Sequence, residues 1–173
     1  MKMIREKIKA ALISLFALLL LVSCAAPVQL AKAPKFTLNN MDGFQESLSD
    51  YKGEIVLLIF FNPRSGGGQN PLLRGYLDYY RPSDKLQIIL ILNTSEGPGA
   101  AAGGAGGSRL TDLGYSVPLR DEDGSVSQAF GASPDKLTIV LVDRDGDIRF
   151  RQEVTSLAET NQDLAQQVEK LTK

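Results

Sequence analysis

Residues 54–71, EIVLLIFFNPRSGGGQNP, decide the fold of the chain. The run Ile55–Phe61 is apolar at every position rather than at alternate positions, and it ends at Asn62. Such a run predicts a strand that is buried on both faces of a sheet. A loop follows, and Pro71 suits the first turn of a helix, which apolar residues at helical spacing predict over Leu72–Tyr80. We therefore expect this strand to form the centre of the fold.

Two further apolar runs, Leu86–Leu92 and Leu137–Val142, predict two further buried strands. The first run follows the helix, so strand, helix and strand form a βαβ unit with a parallel strand pair and a right-handed crossover. Ile148–Val154 alternates between apolar and polar residues, which predicts a half-exposed edge strand. Ser156–Glu159 fits a capping box and opens a C-terminal helix. The apolar stripe of that helix is Leu157, Leu164, Val168 and Leu171.

Shorter elements lie before and between these strands. The turn-rich residues Asn39–Gly43 separate two strand candidates, Phe36–Leu38 and Phe44–Leu48, and predict a hairpin. Ser125–Phe130 predicts a short helix, which Gly131 ends as its C-cap. The remaining candidates are a short helix over Leu110–Tyr115 and an extended piece over Val117–Leu119.

Two acidic clusters lie in turn-like sequence, and both are interpreted as solvated hairpin turns. Calcium loops are one alternative, but neither cluster continues to the Glu that an EF-hand needs at its twelfth position. Hydrolysis by carboxylates or with a metal is another alternative. The clusters are Asp121, Glu122 and Asp123, and Asp143, Asp145 and Asp147.

The stretch Ser95–Ser108, SEGPGAAAGGAGGS, predicts a flexible loop. It has little apolar surface to bury, and glycines are entropically costly to order. A phosphate-cradling loop is the alternative, but the Lys-Ser/Thr pair of a P-loop is missing.

The composition excludes several kinds of chemistry. The chain has 173 residues, a net charge of −1, no histidine and one cysteine. Without histidine, neither Ser-His-Asp nor Cys-His catalysis is available. One cysteine excludes an intramolecular disulfide and a cysteine-cluster zinc site. Lys and Arg are not clustered, so no nucleic-acid partner is expected. We expect no metal and no cofactor.

The N-terminus predicts a targeting segment. A basic start precedes an apolar run, Ala10–Val22, which is shorter than the roughly 20 residues that span a bilayer. This pattern is typical of a secretory signal peptide. The end of the segment, Leu21–Cys24, resembles the lipobox of bacterial lipoproteins. That resemblance implies cleavage after Ser23, diacylglycerol on the sulfur of Cys24 and acylation of the new N-terminus. An ordinary signal peptide that happens to end near a cysteine is the alternative.

Three segments after the anchor are similar to the redoxin branch of the thioredoxin superfamily, which includes peroxiredoxins and membrane-tethered thiol-disulfide oxidoreductases. The segments are SLSDYKGEIVLLIFF (47–61), PLRDEDGSVSQAFGA (118–132) and LTIVLVDRDGDIRF (137–150). The similarity covers residues 34–173. It implies an α/β thioredoxin-like fold, in which helices flank a central mixed sheet.

The resemblance also indicates where reactive residues would lie. In the peroxiredoxin register, the motif Thr falls on Gly67 and the peroxidatic Cys on Asn70. In the oxidoreductase register, the two cysteines of Cys-x-x-Cys fall on Ser65 and Gly68. The supporting Arg of the first register and the cis-Pro of the second both fall on Leu137. Each register therefore lacks both its nucleophile and the residue that supports it.

These observations predict a membrane-anchored lipoprotein with a redoxin-like domain that lacks the catalytic cysteines. The expected division is a signal peptide (1–23), the lipidated Cys24 with a tether (24–35) and the domain (36–173). A binding or assembly role with a protein partner in the cell envelope is expected. The lipid on Cys24 would hold the chain to the periplasmic face of a Gram-negative outer membrane, or to the outer face of a Gram-positive plasma membrane. A thiol-dependent oxidoreductase or antioxidant protein is the alternative.

Overall fold

The computed structural model describes residues 31–62, 70–95, 115, 117–154 and 157–173, apart from the side chains of 157–161. The predicted signal peptide, Cys24, residues 63–69 and the glycine-rich stretch after Ser95 lie outside these residues. The predicted helix over 110–115 also lies outside them, except for Tyr115. No helix in the described ranges is long and apolar enough to cross a membrane.

Seven strands, three α-helices and one 3-10 helix form the described part of the chain. The strands are β1 (Thr37–Asn40), β2 (Gln45–Ser47), β3 (Val56–Phe61), β4 (Gln87–Asn93), β5 (Leu119–Asp121), β6 (Leu137–Val142) and β7 (Ile148–Val154). The 3-10 helix is Leu48–Tyr51, and the α-helices are α1 (Pro71–Tyr79), α2 (Ser125–Ala129) and α3 (Leu157–Thr172).

Strand β3 lies inside a mixed sheet with the order β2-β1-β5-β4-β3-β6-β7. It pairs in parallel with β4, from Val56 opposite Gln87 to Phe61 opposite Leu92. On its other side it pairs antiparallel with β6. Every residue of β3 is at most 3% exposed. The predicted central strand, the parallel βαβ pair and the edge position of β7 are therefore confirmed, and so is the α/β class with a central mixed sheet.

Alternate residues of β3 point into two separate apolar cores. One core lies between the sheet and helices α1 and α3, where Leu57, Ile59 and Phe61 pack with Tyr76 and Leu164. The core on the opposite face contains Val56, Leu58 and Phe60 together with Phe36 and Phe130. Because both faces are covered, a run without polar residues is the pattern that this strand requires.

The predicted N-terminal hairpin is confirmed, with Thr37 of β1 opposite Ser47 of β2. Its turn is held by Asn40, whose Oδ1 accepts hydrogen bonds from the N–H groups of Asp42 (3.0 Å) and Phe44 (2.9 Å). The prediction that the second strand continues to Leu48 is wrong. Leu48 starts the 3-10 helix, because the Asp50 carboxylate accepts the N–H of Ser47 and closes the first turn.

The prediction of a solvated hairpin turn at Asp121 is also wrong. This residue ends β5, which runs parallel to β4, and α2 follows from Ser125. The carboxylate of Asp121 is fully buried and accepts the N–H groups of Val126 (3.3 Å) and Ser127 (2.7 Å). It therefore satisfies donors in the first turn of α2 that have no partner within the helix.

The second acidic cluster does form the hairpin turn between β6 and β7, but it is not fully solvated. The Asp143 side chain is buried and accepts the N–H groups of Asp145 (3.0 Å) and Asp147 (2.8 Å) and the guanidinium of Arg149. Burial acts to raise the pKa of Asp143, but the Asp147 N–H and the Arg149 guanidinium together hold that pKa below its usual range. The ionised carboxylate is thus part of the turn.

We predict that Asp143→Asn lowers the free energy of unfolding by about 1.5–3 kcal/mol at pH 7, the usual range for hydrogen bonds to a charged group. Because folding lowers the pKa of this carboxyl, its ionisation stabilises the fold at pH values above its pKa in the unfolded chain, about 3.9. This stabilisation is lost as the pH falls through the pKa of the folded state. The gap between wild type and variant should therefore close as the pH falls below about 4. Urea denaturation across this pH range measures it.

The matched control is Asp145→Asn, in the same turn but exposed. This variant should follow the wild-type curve at every pH. A gap for Asp143→Asn that stays constant down to pH values well below the unfolded pKa would contradict the role assigned to the ionised carboxylate.

Candidate functional site

The carboxyl end of β3 and the start of α1 form the end of the sheet where the resemblance locates the reactive residues. Asn62 follows β3 directly, and Asn70 is the N-cap of α1. Both side chains are buried, at 6% and 7% exposure. The Oδ1 atom of Asn70 accepts the N–H of Leu72 at 2.8 Å, and Pro71 occupies the first helical position. The helix thus begins with a side-chain cap followed by a proline, a favourable combination.

Leu137 lies at the same end of the sheet. Strands β3 and β6 are antiparallel with Phe60 opposite Thr138, so the start of β6 adjoins the end of β3. Leu137 is 1% exposed and packs in the core that also contains Phe61 and Leu73. Every peptide bond of the described residues is trans, including the one that enters Leu137. This position therefore contributes apolar packing.

Two of the predicted site positions, Asn70 and Leu137, are thus found at one end of the sheet. Ser65, Gly67 and Gly68 lie outside the described residues, as does the lipidation candidate Cys24. Residues 25–173 contain no cysteine, so none of the five active-site positions that the resemblance indicates carries a thiol. In the described ranges, no group of three or more His, Cys, Asp and Glu side chains is arranged to hold a metal ion.

The chemistry of a helix N-terminus explains why Asn70 matters. The N-terminal N–H groups and the helix dipole lower the pKa of a cysteine thiol at this place and make the thiolate reactive. Here the same N–H groups meet an uncharged amide, and one of them is already bonded to it. The position therefore stabilises the helix instead of a thiolate. The Asn-Pro dipeptide was a capping signal that sequence reasoning passed over when it assigned Asn70 only as a replaced cysteine.

A scan of protein-family models and a search of curated proteins give no match to this chain. Solved structures do match. A protein described as a thiol:disulfide interchange protein DsbE, from Chlorobium tepidum, has a TM-score of 0.60 and 21% identity, covering 83% of this chain and 97% of that chain. A secreted disulfide oxidoreductase from Mycobacterium tuberculosis has a TM-score of 0.56 and 18% identity, covering 79% and 96%.

A third similar structure is the exposed lipoprotein thioredoxin of Streptococcus pneumoniae. It has a TM-score of 0.55 and 18% identity, covering 80% of this chain and 100% of that chain. At these identities the likeness shows the fold, which is thioredoxin-like. The fold and the site together define a thioredoxin-like domain in which the chain after residue 24 has no cysteine.

We predict that Asn70→Ala lowers the free energy of unfolding by about 1 kcal/mol, because it removes the cap of α1. Asn70→Asp keeps an oxygen acceptor at the same position, so it should retain most of that stability. Chemical denaturation of the two variants and the wild type makes the comparison. Equal losses in both variants would show that the side-chain oxygen does not cap the helix.

Proposed function

We propose that this protein is a lipid-anchored, non-catalytic member of the thioredoxin-like fold class that binds a protein partner in the cell envelope. The observation that carries the proposal is the position of the only cysteine. Cys24 ends a lipobox-like sequence, and the 149 residues that follow, 25–173, contain no second cysteine. A lipidated Cys24 is a thioether, which neither attacks a disulfide nor reduces a peroxide.

The chemistry of the fold's oxidoreductases depends on a thiolate. Exchange proceeds by attack of a thiolate on a disulfide sulfur through a mixed disulfide. The hydroxyl of Ser65 does not replace it at neutral pH, because the chain has no histidine to activate a hydroxyl and no motif places a lysine base beside it. The buried amide of Asn70 is committed to capping α1.

The contact surface that we propose includes helix α1, which starts at the carboxyl end of β3, where the resemblance locates the reactive residues. Helix α1 presents Pro71, Arg74 and Asp78 as exposed residues, and the ring of Tyr79 is 61% exposed. Aromatic residues and arginine are enriched at protein interfaces, so the exposed Tyr79 and Arg74 suit this helix face to contact with a protein. Residues 63–69 lie between β3 and this helix in the sequence, so we assign the contact surface to the exposed face of α1 together with this segment.

Thiol-disulfide exchange is the second candidate, and the observation that favours it is the likeness of fold to DsbE-type and thioredoxin structures. Lipid anchoring agrees with the description of the Streptococcus pneumoniae protein as an exposed lipoprotein thioredoxin, although that description belongs to that protein. The two candidates differ in one measurable property, which is turnover without an added thiol protein.

We predict that the mature chain 24–173 with Cys24→Ser neither reduces insulin disulfides nor consumes hydrogen peroxide faster than buffer. The reason is the lack of any thiol in that chain. A cysteine-bearing thioredoxin measured beside it is the positive control. Turnover clearly above the buffer rate would overturn the non-catalytic proposal and favour the second candidate.

We predict that a partner captured from envelope extract by the wild-type chain is lost when Gly66, Gly67 and Gly68 are all replaced by alanine. The substitutions add three methyl groups to this segment without changing its charge. The matched control replaces Gln166, Glu169 and Lys170, three exposed positions of α3, by alanine. Retention in the loop variant and loss in the α3 variant would move the interface to the C-terminal helix.

A further inference from the structure

A groove of about 770 Å³ lies at the end of β3 opposite Asn62. Val56, the first residue of β3, and Val142, the last residue of β6, both line it. Phe36, Leu48, Tyr51 and Ala33 also belong to its apolar lining. The sequence patterns gave no signal for this groove, because its lining comes from three separate parts of the chain, 32–37, 48–56 and 142–146.

Basic side chains surround this apolar floor. Lys32, Lys35, Lys52 and Arg144 line the groove, and all four are exposed. Lys32 is paired with Asp147 at 2.9 Å. Lys35 and Lys52 make no ion pair with any residue that the structure describes, so they are available to an anionic group.

Acidic side chains on the same lining only partly offset these cations. They are Asp143, Glu54 and Asp145. Asp143 is already bonded to Arg149 and to turn N–H groups. An apolar floor beneath unpaired lysines matches the chemistry of a phospholipid, which presents a phosphate next to apolar chains.

The N-terminal side of the chain enters the domain beside this groove. The carbonyl of Ala31 accepts the N–H of Ile148 at 2.9 Å, and the N–H of Ala33 donates to the carbonyl of Gly146 at 2.9 Å. Six residues separate Cys24 from Ala31. Even fully extended, this connection spans at most about 25 Å. A lipid on Cys24 would therefore keep the groove close to the bilayer.

We propose that the groove binds the phosphate of a phospholipid in the membrane that anchors the protein, with Lys35 and Lys52 as its ligands. This inference rests on the lipid anchor proposed for Cys24. Attraction between lysines and an anionic surface falls off within about 8 Å at physiological salt, so a short tether is needed to bring the lysines within this range. Docking in this way turns the Asn62 and Asn70 end of the domain away from the membrane, toward a protein partner.

The test measures binding of the mature chain 24–173 with Cys24→Ser to vesicles by flotation, so that no lipid anchor contributes. The chain retains every described element. It should bind vesicles of phosphatidylglycerol and phosphatidylcholine in equal parts and should not bind phosphatidylcholine alone. Lys35→Ser with Lys52→Ser should weaken the partition coefficient roughly tenfold to thirtyfold, the loss expected for two surface lysines.

Two control variants make the result specific to the groove. Lys35→Arg with Lys52→Arg keeps the charges and should bind as the unsubstituted lysines do. Lys136→Ser with Lys170→Ser removes the same charge at two exposed positions that do not line the groove, and it should leave binding unchanged. Equal losses in the two charge-removing pairs would reduce the effect to general attraction and overturn the proposal. Absence of any binding to phosphatidylglycerol vesicles would overturn it too, as would binding of inorganic phosphate without binding of vesicles.

The anchor itself is tested separately, by mass spectrometry of the envelope form of the protein. An acylated Cys24 together with failed vesicle binding would reject the groove and leave the proposed function intact. An unmodified Cys24 would reject the anchor, while the vesicle experiment would still report on the groove.

Discussion

Burial of β3 on both faces is the constraint on which the rest of the structure depends. Each of its six side chains leaves water entirely or nearly so, and burying one such chain is worth about 1.5–3 kcal/mol. This burial requires that α1 and α3 cover one face of the strand and that α2 and the N-terminal segment cover the other. It also requires strand neighbours on both sides, because unpaired backbone groups would be buried with it. β4 and β6 supply these hydrogen bonds.

Because the side chains of β3 are buried and apolar, polar side chains lie only at the two ends of this strand. At the carboxyl end, the chain must turn back into α1, and the free N–H groups of that helix need acceptors. A thiolate would be one solution, and the Asn70 amide is another. The Asn70 amide supplies such an acceptor without a thiol, so the start of α1 does not depend on a reactive group at this position. Similarity of fold therefore identifies the architecture of this chain, whereas its function has to be argued from the residues of the site.

Periodicity was sufficient to predict the elements that are buried on both faces or that alternate strictly. β3, β4, β6 and the edge strand β7 were all predicted within one residue of their observed bounds. The acidic cluster at Asp121 could not be interpreted in the same way, because its role depends on the N–H groups of α2, which the fold brings to it. The site was predicted only in part. Its location followed from the end of β3, whereas the capping role of Asn70 required the contact with Leu72.

The two ends of β3 also differ in their distance from the N-terminal segment of the domain. At the amino end, backbone hydrogen bonds join Ala31 and Ala33 to the β6–β7 hairpin. An anchor upstream of Ala31 would therefore attach the domain to the membrane at that end. A contact between the groove and the bilayer would spread that attachment over two points and fix the orientation of the domain. The carboxyl end would then lie about the length of the sheet farther from the membrane. For the binding role proposed above, a fixed orientation would lower the rotational entropy that is lost when a partner binds.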